Sequence, residues 1–570
     1  MKKIFSYIML PALIALVFYS CSKDLGNYDY NDANVITITT DMANVDPAVV
    51  INNDSLVVKQ NDSLKVNILI SQTKPSNDLA YEWMIIQTAA TIGNPPQYVV
   101  GNTAQLRTKI TLSPNLYKLV LKVTDKTTGV SFTKFYSLNV DTSPWGGEGW
   151  VILQDQAAEG CDVSVITTRY GAVRGTIYPN VYSLANGHKL PTGTYKVNVI
   201  NYNNTLRIQK VSFFYPNGGL QVRSTDYLDS SNSNGWFVNL PSVVNLESTA
   251  VGPVNGQYEM LINNGQLQYQ AVNATSIKTP PIVFGAPVLG SWPSLSPYFM
   301  LNSNSSYCTF FDKVNRCFLH INVASNNTLI PTTLPDIANQ HWPAYSGTGG
   351  ATNLTVTGKG FDLNNIGRNL IYSENAQLMD GAITAPGYYC IFRNTANDST
   401  FLYQFTSGST GIANSATTGR YFLKDAATHV TGINTASIFA VPAFTVGSVS
   451  NVFYYVPGNS TNSIYVCNPS YTTGGGIMPA TTVSHLGYSF PAGTIIKTMK
   501  VFKSGYNAAS IPSTESKVLV VATDETASGA GHKVYFFNLT VTGEINTTPA
   551  NVYTGFDKIV DIAFKKGLGL

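Results

Sequence analysis

Charge is what this chain has least of. Charged side chains make up 12% of its 570 residues, about half the share of an ordinary soluble protein, and no basic run is longer than Lys565-Lys566. With a net charge of +3 and no cluster of cations, a nucleic-acid backbone finds nothing to grip. Cysteine is scarce as well: Cys21, Cys161, Cys308, Cys317, Cys390 and Cys467 are too few to staple a chain of this size. Short catalytic signatures are missing, with no His-Glu-x-x-His, Gly-x-Ser-x-Gly, Walker-type glycine loop or Cys-x-x-Cys. The six histidines (His188, His320, His341, His429, His485 and His532) lie far apart. A ring-shaped fold could gather them on its axis as metal ligands, but scattered packing roles are the simpler reading. Asp362-Leu363-Asn364-Asn365-Ile366-Gly367 has the flavour of a calcium loop without its closing glutamate, and reads as a turn. No metal and no cofactor is expected.

At the N-terminus, Lys2 and Lys3 precede an apolar stretch over residues 8–19, too short to cross a bilayer. A positive start followed by a short apolar stretch has the form of a signal peptide over residues 1–20. Tyr19-Ser20-Cys21 resembles the bacterial lipobox, with Phe18 where leucine is usual. The resemblance implies cleavage before Cys21 and lipid on that cysteine; several acyl chains anchor a protein durably. Residues 21–34 are then a lipidated tether reaching about 40 Å. Ser22-Lys23-Asp24-Leu25, with Asp29 and Asp32, resembles the acidic export signal of Bacteroidetes lipoproteins. It implies the outer membrane, on the face turned to the cell exterior.

The mature chain is expected to be all-β. Residues 35–142 hold period-two apolar stretches such as Ser63-Leu64-Lys65-Val66-Asn67-Ile68 and Leu119-Val120-Leu121-Lys122-Val123, separated by Asn, Asp, Pro and Gly clusters. That is the pattern of half-buried strands in a β-sandwich, with Trp83 as a central core aromatic. Tyr81-Glu82-Trp83 and Tyr117-Lys118-Leu119-Val120-Leu121-Lys122-Val123-Thr124-Asp125, followed by Thr128-Gly129, resemble the signature of polycystic-kidney-disease (PKD) domains. With Leu25-Gly26-Asn27-Tyr28-Asp29-Tyr30 before and Gly149-Trp150-Val151-Ile152-Leu153 after, the segment is similar to the PKD-like family of Bacteroidetes lipoproteins. That resemblance implies company with SusC/SusD-type outer-membrane nutrient importers.

From residue 145 to 570, strand clusters recur at 149–154, 195–201, 258–263, 298–302, 369–373, 452–456 and 517–523, usually followed by hairpin-linked strands. The spacing of about 60 residues exceeds that of compact propellers and leaves room for loops. The fold class expected is therefore all-β, an N-terminal Ig/PKD-like β-sandwich followed by a β-propeller-like domain. Residues 558–564 supply one more strand, of the kind that closes a ring. A stacked pair of sandwiches is the rival topology. Cys308 and Cys317 flank a hairpin turn at Asp312-Lys313-Val314-Asn315, where register decides between a cross-strand disulfide and two buried thiols.

Trp236, Trp292 and Trp342 occupy loop-like contexts rich in Gly, Pro, Asn and Ser, and Tyr345 lies beside the last of them. An exposed indole among amides and hydroxyls suits a sugar ring or a peptide backbone; the competing role is packing between blades. Asp155 with Glu159, and Asp524 with Glu525, are either acid/base pairs or turn carboxylates. Asp54-Ser55-Leu56, Asp62-Ser63-Leu64 and Asp398-Ser399-Thr400 resemble the O-glycosylation acceptors of Bacteroidetes exported proteins, the third imperfectly. The function expected is an accessory subunit of a SusC/SusD-type importer that captures oligosaccharide or peptide. The rival is a propeller-based hydrolase or lyase acting on polysaccharide or peptide.

Overall fold

The computed structural model describes residues 34–567 apart from 43–49, 53, 76–77, 88–95, 170, 172–174, 204–207, 252–257, 272–282, 289–291, 302–306, 323–360, 362, 376–386, 407–415, 443–451, 470–481 and 505–511. The chain divides into two compact units, residues 1–141 and 142–570.

The first unit is a β-sandwich. One sheet runs in the order Val50–Asn52, Ser55–Lys59, Ser131–Asp141, Asn115–Asp125, Leu79–Gln87, Gln97–Gly101, and two further pairs are Ile36–Thr40 with Ile68–Gln72 and Ser63–Val66 with Leu106–Lys109. Alternation sends Leu119, Leu121 and Val123 into a core with Leu56, Val58, Ile85 and Leu138. Trp83 is fully buried, stacks on Tyr136 with centroids 6.1 Å apart, and donates its indole N–H to the Thr103 carbonyl at 2.8 Å. The Tyr117 hydroxyl donates back to the Ser113 carbonyl at 2.8 Å, a tyrosine corner of the kind found in immunoglobulin-like sandwiches. Asp125 accepts from Thr127 N and from the Asn34 amide at 3.0 Å, and the Asn34 bond holds its carboxyl below the usual range.

The second unit is a β-propeller. Its described residues form seven sheets. In blades 2 to 7 the first strand in sequence is innermost: Lys196–Asn203, Leu246–Val251, Met300–Leu301, Asn369–Asn375, Ile438–Ala440 and Ile495–Val501. Blade 1 is built differently. Its outer strands Gly149–Asp155, Cys161–Thr167 and Ile177–Tyr178 receive their innermost neighbour from the far end of the chain, Lys558–Lys565, paired antiparallel with Gly149–Asp155.

Ring closure is also visible in the packing. Seven apolar cores each join two consecutive blades: Phe213 with Val163, Phe214 with Leu261, Met260 with Phe310, Phe311 with Phe392, Ile391 with Phe453, Tyr454 with Leu519, and Phe536 with Trp150. The last returns to blade 1. A stacked pair of sandwiches would hold two such cores, so this circuit overturns that topology. Closure packs blade 7 against blade 1 and leaves the ring with only short, protected sheet edges.

The described cysteines Cys161, Cys308, Cys317, Cys390 and Cys467 are buried free thiols. Register places Cys308 opposite Ile321 and Cys317 opposite Asp312, so the hairpin does not bring the two sulfurs face to face.

Candidate binding site on the propeller axis

Two of the three tryptophans are core residues, which corrects their reading as an exposed platform. Trp236 is 6% exposed and packs between blades 2 and 3 with Phe214, Leu246 and Leu261. Its N–H donates to Ser231 at 2.9 Å. Trp292 is buried between blades 3 and 4 beside Met260 and Phe310. Both sit in irregular segments that fold back over an inter-blade gap, where a large ring fills the taper between twisted sheets. Trp342, Tyr345 and Cys21 lie outside the described residues.

The paired carboxylates are turn residues. Asp155 caps Ala157 N at 3.0 Å and binds Lys558 at 2.8 Å, while the exposed Glu159 pairs with Lys189. Asp524 caps Thr526 N at 3.0 Å; Glu525 accepts from Lys533 at 2.8 Å and Tyr535 at 2.6 Å. The described histidine side chains also do not converge: His188 faces Asp229, His485 faces Glu544 and His532 faces Asp524.

What the ring does gather is a set of charged side chains on its innermost strands. An inner strand pairs on one side only, so its axial edge carries unpaired N–H and C=O groups. Ions from the preceding blade cap these edges. Asp561 of blade 1 accepts from Val197 N of blade 2 at 3.2 Å, and Lys196 of blade 2 donates to the Glu247 carbonyl of blade 3 at 2.6 Å. Glu374 of blade 5 accepts from Val441 N, just beyond the inner strand of blade 6, at 2.8 Å. Lys500 of blade 7 donates to the Ile562 carbonyl of blade 1 and, at 3.1 Å, to Asp561. Each of these links points from one blade to the next in the same rotational sense. Lys503, after the inner strand of blade 7, reaches back to Glu374 at 2.5 Å and the Asn375 carbonyl at 2.6 Å, spanning blade 6.

Lys196, Glu247, Lys500 and Asp561 thus stand on the inner strands of four successive blades. Lys196 is half-buried; desolvation brings its ammonium down to about 8, with Lys500 acting the same way against the pull of Asp561 and Glu247. Burial raises the Glu247 carboxyl, against the effect of Lys313, whose ammonium lies 4.0 Å away. The group is open to solvent in part, since the Lys500 side chain is 40% exposed.

Polar atoms without partners lie beside it. Glu247 Oε2, Asn198 Nδ2 and Thr249 Oγ1 are buried and make no hydrogen bond. Asn198 is two residues along the strand from Lys196 and shares its face, while Glu247 sits at a β-bulge two residues before Thr249. Sequence reading missed these residues because they are spread over most of the chain. The available signal was a charge inside an apolar strand, as in Lys558-Ile559-Val560-Asp561-Ile562-Ala563-Phe564.

A family model described as the PKD-like family matches residues 21–193. No curated protein matches the chain. Among solved structures, a quinonprotein alcohol dehydrogenase-like protein from Bacteroides thetaiotaomicron aligns at 12% identity and a TM-score of 0.43, covering 90% of this chain and 97% of that one. AztD from Citrobacter koseri aligns at 11% identity and a TM-score of 0.27, covering 72% of this chain and 100% of its own. The chain is therefore similar to the PKD-like family over its sandwich and the first strands of its propeller, and its propeller rests on its own strand order and inter-blade cores.

Proposed function

We propose that this protein is a surface-exposed outer-membrane lipoprotein that serves a SusC/SusD-type importer as an accessory ligand-binding subunit, with the propeller axis as its binding surface. The observation that supports a binding role is the partly open group Lys196, Glu247, Lys500 and Asp561. Ammonium and carboxylate groups partly open to solvent on the inner strands offer hydrogen-bond donors and acceptors to a ligand bearing hydroxyl or carboxylate groups. Anchoring follows from Cys21 and the polar segment behind it.

The test is made in the native membrane. Tagged protein solubilised from outer membranes should bring down a transporter and its surface lipoprotein partner, protease treatment of intact cells should remove it, and Cys21→Ala should shift it to the soluble fraction. Protection from protease together with purification free of any transporter would contradict the proposal. A catalytic reading draws on one observation: Lys196 brought down to about 8 and Glu247 raised lie in the same group, which narrows the gap between a base and an acid near neutrality. Release of new reducing ends or peptide termini by the purified chain would favour it.

A further inference from the structure

Blades 2 and 3 meet through two kinds of chemistry. Phe214, Trp236 and Leu261 fill one part of their seam. Alternation along the strands puts Lys210 of Ile208–Tyr215 on the face of Phe214, and Glu259 of Tyr258–Asn263 on the face of Leu261. Gln270 of Gln266–Ala271 stands directly opposite Glu259 in the sheet. All three polar residues are buried. The Lys210 ammonium donates to Glu259 Oε1 at 3.0 Å and to Oε2 at 3.1 Å, the Gln270 amide donates to the same Oε2, and the Trp236 ring centre lies 5.6 Å from Lys210 Nζ. The Gln270 carbonyl oxygen is buried and makes no hydrogen bond. One carboxylate oxygen therefore holds an amine and a carboxamide side by side, away from water. As a stabilising device this is poor, because apolar side chains of similar volume hold a buried seam at least as well as an ion pair does. As a reacting group it is complete, with a nucleophile, an acyl carbon and a proton carrier.

We propose that Lys210 and Gln270 form an intramolecular isopeptide cross-link that staples blade 2 to blade 3, with Glu259 as its catalyst. A proton passes from Lys210 Nζ to Glu259, exchanging a buried ion pair for two neutral groups, which a site shielded from water favours. The new carboxyl group donates to Gln270 Oε1 and polarises that carbonyl. The free amine then attacks Gln270 Cδ. The Nζ–Cδ bond forms, a second Nζ proton travels through Glu259 to Nε2, and the Cδ–Nε2 bond breaks to release ammonia. Glu259 ends protonated beside the new amide, so charge is conserved, nothing is oxidised or reduced, and the chain is lighter by one ammonia. Fixed proximity replaces chemical activation of the acyl group, and exclusion of water keeps hydrolysis from competing. The bond closes residues 210–270 into a covalent loop, a second closure of the ring beside that of the terminal strand. It needs no ligand and stands apart from the axial group.

The experiment is mass spectrometry of the full mature chain, residues 21–570, made without its signal segment so that no lipid is attached. The expected result is an intact mass lower by one ammonia than the sequence requires, and a branched tryptic peptide that joins the Lys210 segment to the Gln270 segment with no cleavage after Lys210. Boiled in detergent, the linked chain should run faster on a gel than Lys210→Arg. Glu259→Gln and Lys210→Arg should both keep the full mass and give linear peptides. Linear peptides at full mass from folded wild-type protein overturn the proposal, whatever the variants do. A link lighter by one water, joining Lys210 to Glu259 itself, overturns the assignment of Gln270 as acyl group, and a cross-link that persists in Glu259→Gln overturns the role of Glu259.

Discussion

Lys565 is fully buried, and its ammonium donates to the Gly146 carbonyl at 2.7 Å and to that of Gly147. Desolvation brings it down to about 7, against the pull of Glu148. In the unfolded chain a lysine holds its proton to beyond pH 10. Between about pH 7 and 10 the unfolded state therefore binds more protons than the folded state, and stability rises with pH, by at most about 1.4 kcal/mol per pH unit for this one group. Urea midpoints at pH 7, 8 and 9 should climb, and Lys565→Met should flatten the climb; a flat wild-type profile would show that the folded protein keeps the proton. Trp236 supplies a second residue-scale test through its neighbour Gly219. A Cβ placed there would stand 2.5 Å from Leu246 Cδ1 and 2.7 Å from Trp236 Cη2. Gly219→Ala should therefore cost about 1–3 kcal/mol, read as a lower Tm; an unchanged Tm would mean that the Trp236 ring is not held in this gap. The Gly235-Trp236 context reads as loop in the sequence, correctly, but nothing local says that the loop folds inward onto blades 2 and 3.

Blade strands are legible one at a time and confusing as a series. Gly149–Asp155, Lys196–Asn203 and Asn369–Asn375 are each legible from their apolar residues. The series, however, mixes positions within the blade: the clusters at 258–263, 452–456 and 517–523 are second strands, Tyr258–Asn263, Phe453–Val456 and Val518–Asp524. Second strands are buried on both faces and read as unbroken apolar runs, whereas Leu246–Val251 and Ile495–Val501 carry Glu247, Thr249, Lys497 and Lys500 and look too polar to be central. This also explains the uneven spacing. The terminal strand is legible because its apolar content is high, and its closing role carries a test. Ile562 is fully buried in the core joining blades 7 and 1, so Ile562→Ala should cost about 2–5 kcal/mol. A loss below about 0.5 kcal/mol in chemical denaturation would show that the ring does not depend on this strand.

At the scale of the whole molecule, charge scarcity takes on a structural meaning. A chain with few ions places several of them where seven twisted sheets leave unpaired edges, and there each ion holds a neighbouring blade while keeping part of its surface open. The same residues can thus stabilise the ring and receive a ligand, which is why no short motif announces them. The measurement that tests this account most directly is amine labelling of the full mature chain, read by mass spectrometry with and without tri-galacturonate, a neutral trisaccharide and tri-alanine. The account predicts that whichever probe binds protects Lys196 and Lys500, while Lys126, paired at an exposed site elsewhere, labels as before. A probe that binds and leaves both axial lysines as reactive as in the free protein would contradict it.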